Sequence, residues 1–141
     1  SRKEEQSGQI FRNFKGKRIL LAEDNELNAE IAMELLGESG LETEHVTDGV
    51  KCVETLKAKP EDYYDLILMD IQMPHMDGYE ATKIIRALNG PRSRIPIIAM
   101  TANAFEEDRQ RAFEAGMDGH IAKPISINVL FATLDEVLGK L

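Results

Sequence analysis

Five side chains suited to metal and phosphate chemistry stand at the ends of apolar stretches in this sequence. Glu23 and Asp24 follow one stretch, Asp70 ends a second, Thr101 ends a third and Lys123 follows a fourth. Carboxylate oxygens favour Mg²⁺, or Mn²⁺ in its place, over zinc. An ionised carboxylate can also attack phosphorus without a general base. The set indicates metal-assisted phosphoryl transfer, with Asp70 as the candidate nucleophile because its stretch is the most apolar.

Three carboxylates brought together by folding would repel one another. Two unit charges about 4 Å apart repel by roughly 4 kcal/mol at an effective dielectric constant near 20. Lys123 would offset one negative charge and a divalent cation the other two, so the site is neutral with metal present. The metal, Lys123 and the Thr101 hydroxyl would each hold one phosphoryl oxygen during transfer.

Taken singly, each of these residues has an ordinary structural explanation. An acidic pair at a strand end is usually part of a loop or a helix cap, and a single Lys-Pro or Thr says little. Their joint placement at matching strand ends is what favours a shared site.

Only a regular fold could gather residues so far apart in the chain. Short apolar runs predict strands buried on both faces, and an apolar pattern at helical spacing follows each run, as at Leu27, Ile31, Leu35 and Leu36. Five such β-then-α units predict a single doubly wound α/β domain, (βα)5, with a parallel five-stranded sheet. Ligands of such sheets bind at the carboxyl ends of the strands.

Composition narrows the partners of the domain. The chain has 141 residues, 43% of them hydrophobic, and a formal net charge of −8. This balance predicts no nucleic-acid binding and no contact with anionic membranes by this domain. The single cysteine, Cys52, has apolar neighbours at helical spacing and is expected to be buried, and one thiol fits a cytoplasmic setting. The polar stretch 1–16 is predicted as a linker or N-terminal extension with a packed turn at Ile10, Phe11 and Phe14, and the domain as 17–141.

The sequence resembles the receiver domains of two-component signalling over about residues 17–140. The matching stretches are ILLAEDNELN (19–28), DLILMDIQMPHMDGYEAT (65–82), IPIIAMTANA (95–104) and AGMDGHIAKPI (115–125). The resemblance implies the flavodoxin-like sheet with strand order 2-1-3-4-5.

Position by position, the resemblance implies a role for each site residue. Asp70 is the expected phosphoacceptor. The expected ligands of Mg²⁺ are Asp70, Asp24, Glu23 through water and the backbone carbonyl of Gln72. Thr101 is the expected switch hydroxyl. Lys123 is the expected ion-pair partner, with a cis bond to Pro124.

Two further positions carry expectations from the same resemblance. Receivers usually have Tyr or Phe three residues before the lysine, where this chain has His120. His120 is therefore either an altered switch residue or an exposed strand residue without a switching role. Gln72 and Asn103 flank the site where receivers tune hydrolysis. His45 and His75 are expected to be solvated rather than ligands.

The amino-acid sequences of these motifs are most similar to those of receivers attached to hybrid sensor histidine kinases. This likeness implies a phosphorelay in which a histidine kinase or a histidine-containing phosphotransfer protein is the partner. Phosphorylation would shift the face made by the fourth helix, fifth strand and fifth helix, which Ala104, Phe105 and the charged run 106–111 border. The isolated domain would be a self-phosphorylating and dephosphorylating switch, a monomer or weak dimer. The parent would be a histidine kinase, whether or not anchored in a membrane, and the alternative is a stand-alone single-domain response regulator.

Three other classes of protein fit the sequence less well than a receiver domain. A phosphatase of the haloacid dehalogenase type would require a second Asp at the position of Gln72. A flavin carrier would want a phosphate loop where Glu23 and Asp24 stand. A pseudo-receiver that only docks partners would not need a complete site.

Overall fold

Alternating strands and helices form a doubly wound α/β domain in the computed structural model, which describes residues 14–102 and 106–138. The elements run in the order β1 Arg18–Ala22, α1 Glu26–Gly37, β2 Glu42–Val46, α2 Gly49–Ala58, β3 Leu66–Asp70, α3 Gly78–Arg86, a short 3-10 helix Pro91–Arg94, β4 Ile97–Thr101, α4 Glu106–Ala115, β5 Gly119–Ala122 and α5 Ile127–Leu138.

The five strands are parallel and lie in the order β2-β1-β3-β4-β5. The predicted flavodoxin-like fold and its strand order are therefore confirmed. Ala22 of β1 is in register with Val46 of β2 and Met69 of β3. This register brings the residues that follow β1 next to Asp70, the last residue of β3.

The sheet has an apolar layer on each face, because alternate residues of a strand point to opposite sides. Leu20, Ile67 and Ile97 pack with α2, α3 and α4 on one face. Ile19 and Leu68 belong to the other layer, which α1 and α5 cover. Residues of β3 and β4 are all buried, as the continuous apolar runs predicted.

Helix α1 begins where the sequence predicted but buries a different side. Its N-cap is Asn25, whose side chain accepts a hydrogen bond from the backbone N–H of Asn28 at 3.0 Å. Leu27 and Ile31, which marked the helical spacing, are 64% and 46% exposed. The buried positions are the small residues Ala29 and Ala32 together with Leu36, so the helix backbone approaches the sheet closely.

Two predictions about single residues are clear in the structure. Phe14 is buried, its ring centroid 6.5 Å from that of Phe131 in α5. Ile10 and Phe11, predicted to pack with it, lie outside the described residues, as do Asn103, Ala104 and Phe105. Cys52 is fully buried, and burial raises the pKa of its thiol to about 12, which makes it an unreactive core residue.

Candidate functional site

Three carboxylates meet at the carboxyl ends of β1 and β3. Each of Glu23, Asp24 and Asp70 has an oxygen within 4.8 Å of one on each of the others. Glu23 and Asp70 are buried, with 1% and 5% exposed, whereas Asp24 is exposed. The backbone N–H of Glu23 extends the sheet by donating to the Val46 carbonyl, so the acidic pair continues the line of β1.

Lys123 reaches this group from the end of β5. Its Nζ lies 3.0 and 3.1 Å from the two carboxylate oxygens of Glu23 and 3.2 Å from an oxygen of Asp70. The bond between Lys123 and Pro124 is cis, as the resemblance implied. Three carboxylates facing one ammonium leave two negative charges in a largely buried place.

The ionisation of the group reflects this crowding. Burial, then the hydrogen bond and charge of Glu23, raise the pKa of Asp70 despite the opposing effect of Lys123. Burial also acts to raise the pKa of Glu23, but hydrogen bonds to Asp70 and Lys123 outweigh it and lower that pKa. Burial acts to lower the pKa of Lys123, and the same two carboxylates raise it overall. The lysine is therefore held in its charged form while Asp70 resists ionisation.

A cleft of about 300 Å³ opens in front of these side chains. Thr101, buried at the end of β4, lines it, as do Gln72 and Asn28. The Thr101 carbonyl accepts a hydrogen bond from the Lys123 backbone N–H at 2.8 Å, which holds the ends of β4 and β5 together. We call this the acceptor cleft.

The donor set of the acceptor cleft fits a small divalent cation. Two oxygens bound to one Mg²⁺ at about 2.1 Å lie at most about 4.2 Å apart. The 4.8 Å limit on the carboxylate oxygens comes within a small adjustment of that distance. The donors are oxygens without sulfur or imidazole, which favours Mg²⁺ or Mn²⁺, and the two excess negative charges match the cation's charge.

His120 does not lie with these residues. It is half-buried in β5 and lines a separate groove of about 150 Å³ together with Arg109, Phe113 and Met117. Burial, and then the charge of Arg109, lower the pKa of its imidazole. The structure therefore places His120 on the α4–β5 surface rather than in the acceptor cleft.

Sequence reasoning missed two residues at the site. His45 of β2, expected to be solvated, is half-buried, and its Nε2 donates to the Glu23 backbone carbonyl at 2.6 Å. Asp108 of α4 lines the acceptor cleft, although the sequence showed it only as one member of a charged run. The sequence held one signal for His45, namely its position in β2 beside the residues that end β1. It held no such signal for Asp108.

Strand order, strand-end carboxylates and the bridging lysine define a flavodoxin-like domain of the receiver type. The family described as "Response regulator receiver domain" matches residues 19–135, and the chain belongs to that family. Members of the family work with histidine kinases and phosphotransfer proteins in two-component signalling.

Similar proteins agree with this assignment. The chain is 38% identical over 125 residues to the peroxide stress-activated histidine kinase mak1 of Schizosaccharomyces pombe, covering 87% of this chain and 8% of that protein. It is 36% identical over 116 residues to the sensor histidine kinase RcsC of Escherichia coli, covering 82% of this chain and 12% of that protein. The chain thus spans a small part of the curated relatives it matches.

A solved structure gives the same picture. The receiver domain of the sensor histidine kinase PA1611 of Pseudomonas aeruginosa, determined with magnesium in its active-site cleft, is 40% identical with a TM-score of 0.79, covering 88% of this chain and 98% of that one. Within the described part of this chain, no helix is long and apolar enough to cross a bilayer.

Proposed function

We propose that this domain accepts a phosphoryl group on Asp70 from a phosphohistidine of a partner protein, with Mg²⁺ as the helper ion. The observation that carries the proposal is the position of the Asp70 carboxylate, which has an oxygen within 4.8 Å of each of the other two acids and one 3.2 Å from the Lys123 ammonium. Mn²⁺ would substitute because the donors are the same oxygens.

Transfer is a single displacement at phosphorus. An oxygen of Asp70 forms a bond to phosphorus while the bond from phosphorus to the donor imidazole nitrogen breaks, and the electron pair stays on that nitrogen. Asp70 needs no base because its ionised form is the nucleophile. The pKa of Asp70 is raised, so its ionised, reactive form is disfavoured in the protein alone. A positive charge near Asp70 would favour this ionised form.

Each neighbour of Asp70 has a separate part. Lys123 neutralises one negative charge and is within reach of an oxygen on the incoming group. Thr101 would offer its hydroxyl to another oxygen. Glu23, Asp24, Asp70 and the Gln72 backbone carbonyl would hold the cation. When bound, that ion supplies charge neutralisation at the phosphoryl oxygens.

The similar proteins are histidine kinases, and two of them are described as hybrid. This favours a hybrid histidine kinase as the parent, with a stand-alone single-domain response regulator as the alternative. The partner would be a histidine kinase or a histidine-containing phosphotransfer protein. This domain would be a monomer or weak dimer and would bind that partner in the cytoplasm. The output surface would be the face of α4, β5 and α5. Phe113, 75% exposed on α4, and half-buried His120 of β5 lie on that face, which supports its use for contacts.

The test is phosphate uptake measured by intact mass. The domain is incubated with acetyl phosphate with and without Mg²⁺, and we expect one phosphoryl group per chain only with the ion. Asp70→Asn should gain none. Asp62→Asn, the same change at an exposed aspartate outside the cleft, should behave as the unchanged protein.

Two outcomes would contradict the proposal. No phosphate with Mg²⁺ present would indicate a domain that only docks partners. Continuous release of phosphate from many substrate molecules, without a phosphorylated protein, would indicate a phosphatase.

A further inference from the structure

Tyr79 lies between the acceptor residue and α4. It is the second residue of α3, is 6% exposed and packs in the core layer that includes Ala112 and Ala115 of α4. The residue before it, Gly78, lies so close to Asp70 that a Cβ there would clash with the Asp70 carbonyl oxygen. The Gly78 backbone N–H also donates to the Ile71 carbonyl at 2.9 Å. The start of α3 is therefore fixed against the end of β3.

On its other side Tyr79 contacts α4 at two points. Its hydroxyl points at the Asp108 backbone carbonyl across 3.5 Å. The guanidinium of Arg111, one turn further along α4, lies 4.4 Å from the centroid of the Tyr79 ring, within the range of a cation–π interaction. Burial raises the pKa of the Tyr79 hydroxyl, Arg111 lowers it and the charge of Asp108 raises it. The hydroxyl therefore stays neutral and senses both residues of α4.

Asp108 links this contact to the chemistry. It is the fourth carboxylate lining the acceptor cleft, with Glu23, Asp24 and Asp70. An acyl phosphate on Asp70 carries one more negative charge than the carboxylate it replaces. A divalent cation and Lys123 balance Glu23, Asp24 and Asp70, so the added charge leaves this group with one excess negative charge beside Asp108. Like charges repel, and Asp108 stands on a helix rather than on the sheet.

We propose that Tyr79 is a positioning residue that couples the charge of the acceptor cleft to the place of α4, with Asp108 as the group on which the added charge acts. The inference rests on the proposed function. On phosphorylation, repulsion of Asp108 moves the first turn of α4 away from Tyr79. This coupling does not require an aromatic residue at position 120, where the chain has histidine.

Fluorine NMR of the protein labelled with 3-fluorotyrosine tests this directly. The chain has three tyrosines, and Tyr63 and Tyr64 lie before β3, at the far end of the strand from Asp70, where both hydroxyls bond Glu44. They serve as internal references, and Tyr79→Phe assigns the third resonance. With Mg²⁺ and acetyl phosphate, the Tyr79 resonance should shift in proportion to the phosphorylated fraction found by mass, while the other two stay in place.

Two variants separate the coupling from a general change. Asp108→Asn removes the charge and should abolish most of the Tyr79 shift when the two proteins are compared at the same phosphorylated fraction by mass. Glu114→Gln, at an exposed acid near the other end of α4, should leave the shift unchanged.

Phosphorylation by mass with a stationary Tyr79 resonance would overturn the inference and leave the proposed function intact. An equal shift in Asp108→Asn would overturn it as well. Failure to take up phosphate at all would contradict the proposed function and the inference together.

Discussion

Two clusters of charged side chains lie at opposite ends of the same strands. At the amino ends, Arg18 donates to Glu42 at 2.9 Å, and Glu44 accepts from the hydroxyls of Tyr63 and Tyr64. We call this the amino-end cluster. There Glu42 has the Arg18 guanidinium and Glu44 has two tyrosine hydroxyls, and the side chains of the two acids are 64% and 38% exposed.

The acceptor cleft is the reverse in each respect. Two of its three acids are buried, and both share the one ammonium of Lys123. A structure selected only for stability would not leave two excess negative charges beside buried strand ends. Charge excess, more than the presence of charge, therefore separates the candidate site from an ordinary surface cluster.

The largest effect on stability should come from removing the ammonium of Lys123, which Glu23 and Asp70 share. Lys123→Met leaves the charged Glu23 carboxylate buried beside Asp70 without a counter-charge, so the free energy of unfolding at neutral pH should fall by about 2 kcal/mol without Mg²⁺. Urea denaturation measures it, with Lys83→Met on the exposed side of α3 as the control. Equal loss in both variants would show that the cleft lysine has no special place.

A smaller effect of opposite sign is expected from Asp70→Asn. Removing one of the crowded charges should raise the free energy of unfolding by about 1 kcal/mol in Mg²⁺-free buffer at pH 8, allowing for solvent screening at the cleft. Thermal unfolding followed by circular dichroism would show this as a higher Tm. A lower Tm would mean that the Asp70 carboxylate is stabilising and the repulsion argument is wrong.

The same carboxylate should make the stability of the protein depend on pH. The pKa of Asp70, raised to about 8 by burial and Glu23, lies above the value of about 4 in an unfolded chain. The folded protein therefore holds more protons between these values, and its stability falls as pH rises, by at most about 1.4 kcal/mol per pH unit, which is the limit for one proton. Urea midpoints from pH 5 to pH 8 measure this slope.

Because the proposed Mg²⁺ site exists only in the folded state, added Mg²⁺ should raise the midpoints and flatten the slope. Asp70→Asn should flatten it without the ion. A slope that is the same in both proteins would assign the titration to other groups.

The smallest effect on stability should come from a substitution in the amino-end cluster. Arg18→Met removes a cation from well-hydrated partners, and Glu42 is 64% exposed. We expect a much smaller change in the urea midpoint than for Lys123→Met, and no change in phosphate uptake. A loss as large as that of the cleft lysine would remove the contrast between the two clusters.

Regular spacing made much of the fold predictable. Buried parallel strands are nearly continuous apolar runs, so β3 and β4 and the residues at their ends could be located from sequence. The buried side of α1 could not, because Ala29 and Ala32 are weakly apolar and Leu27 and Ile31 are strongly so. Close packing against the sheet selects small residues, and this depends on distances that a sequence does not contain.

The acceptor cleft shows the same division. Residue types at strand ends predicted that Glu23, Asp70 and Lys123 would meet. That Lys123 would bond both oxygens of Glu23 as well as Asp70 depends on side-chain geometry. Asp108 reaches the cleft from a helix, and no rule about strand ends applies to it.

The central claim is that Asp70, and no other carboxylate of the cleft, carries the phosphoryl group. Borohydride reduces an aspartyl phosphate to homoserine, so treating the phosphorylated domain and mapping its peptides by mass locates the modified residue. We expect homoserine at position 70, with Glu23 and Asp24 unchanged. Modification at position 24, or outside the cleft, would contradict it.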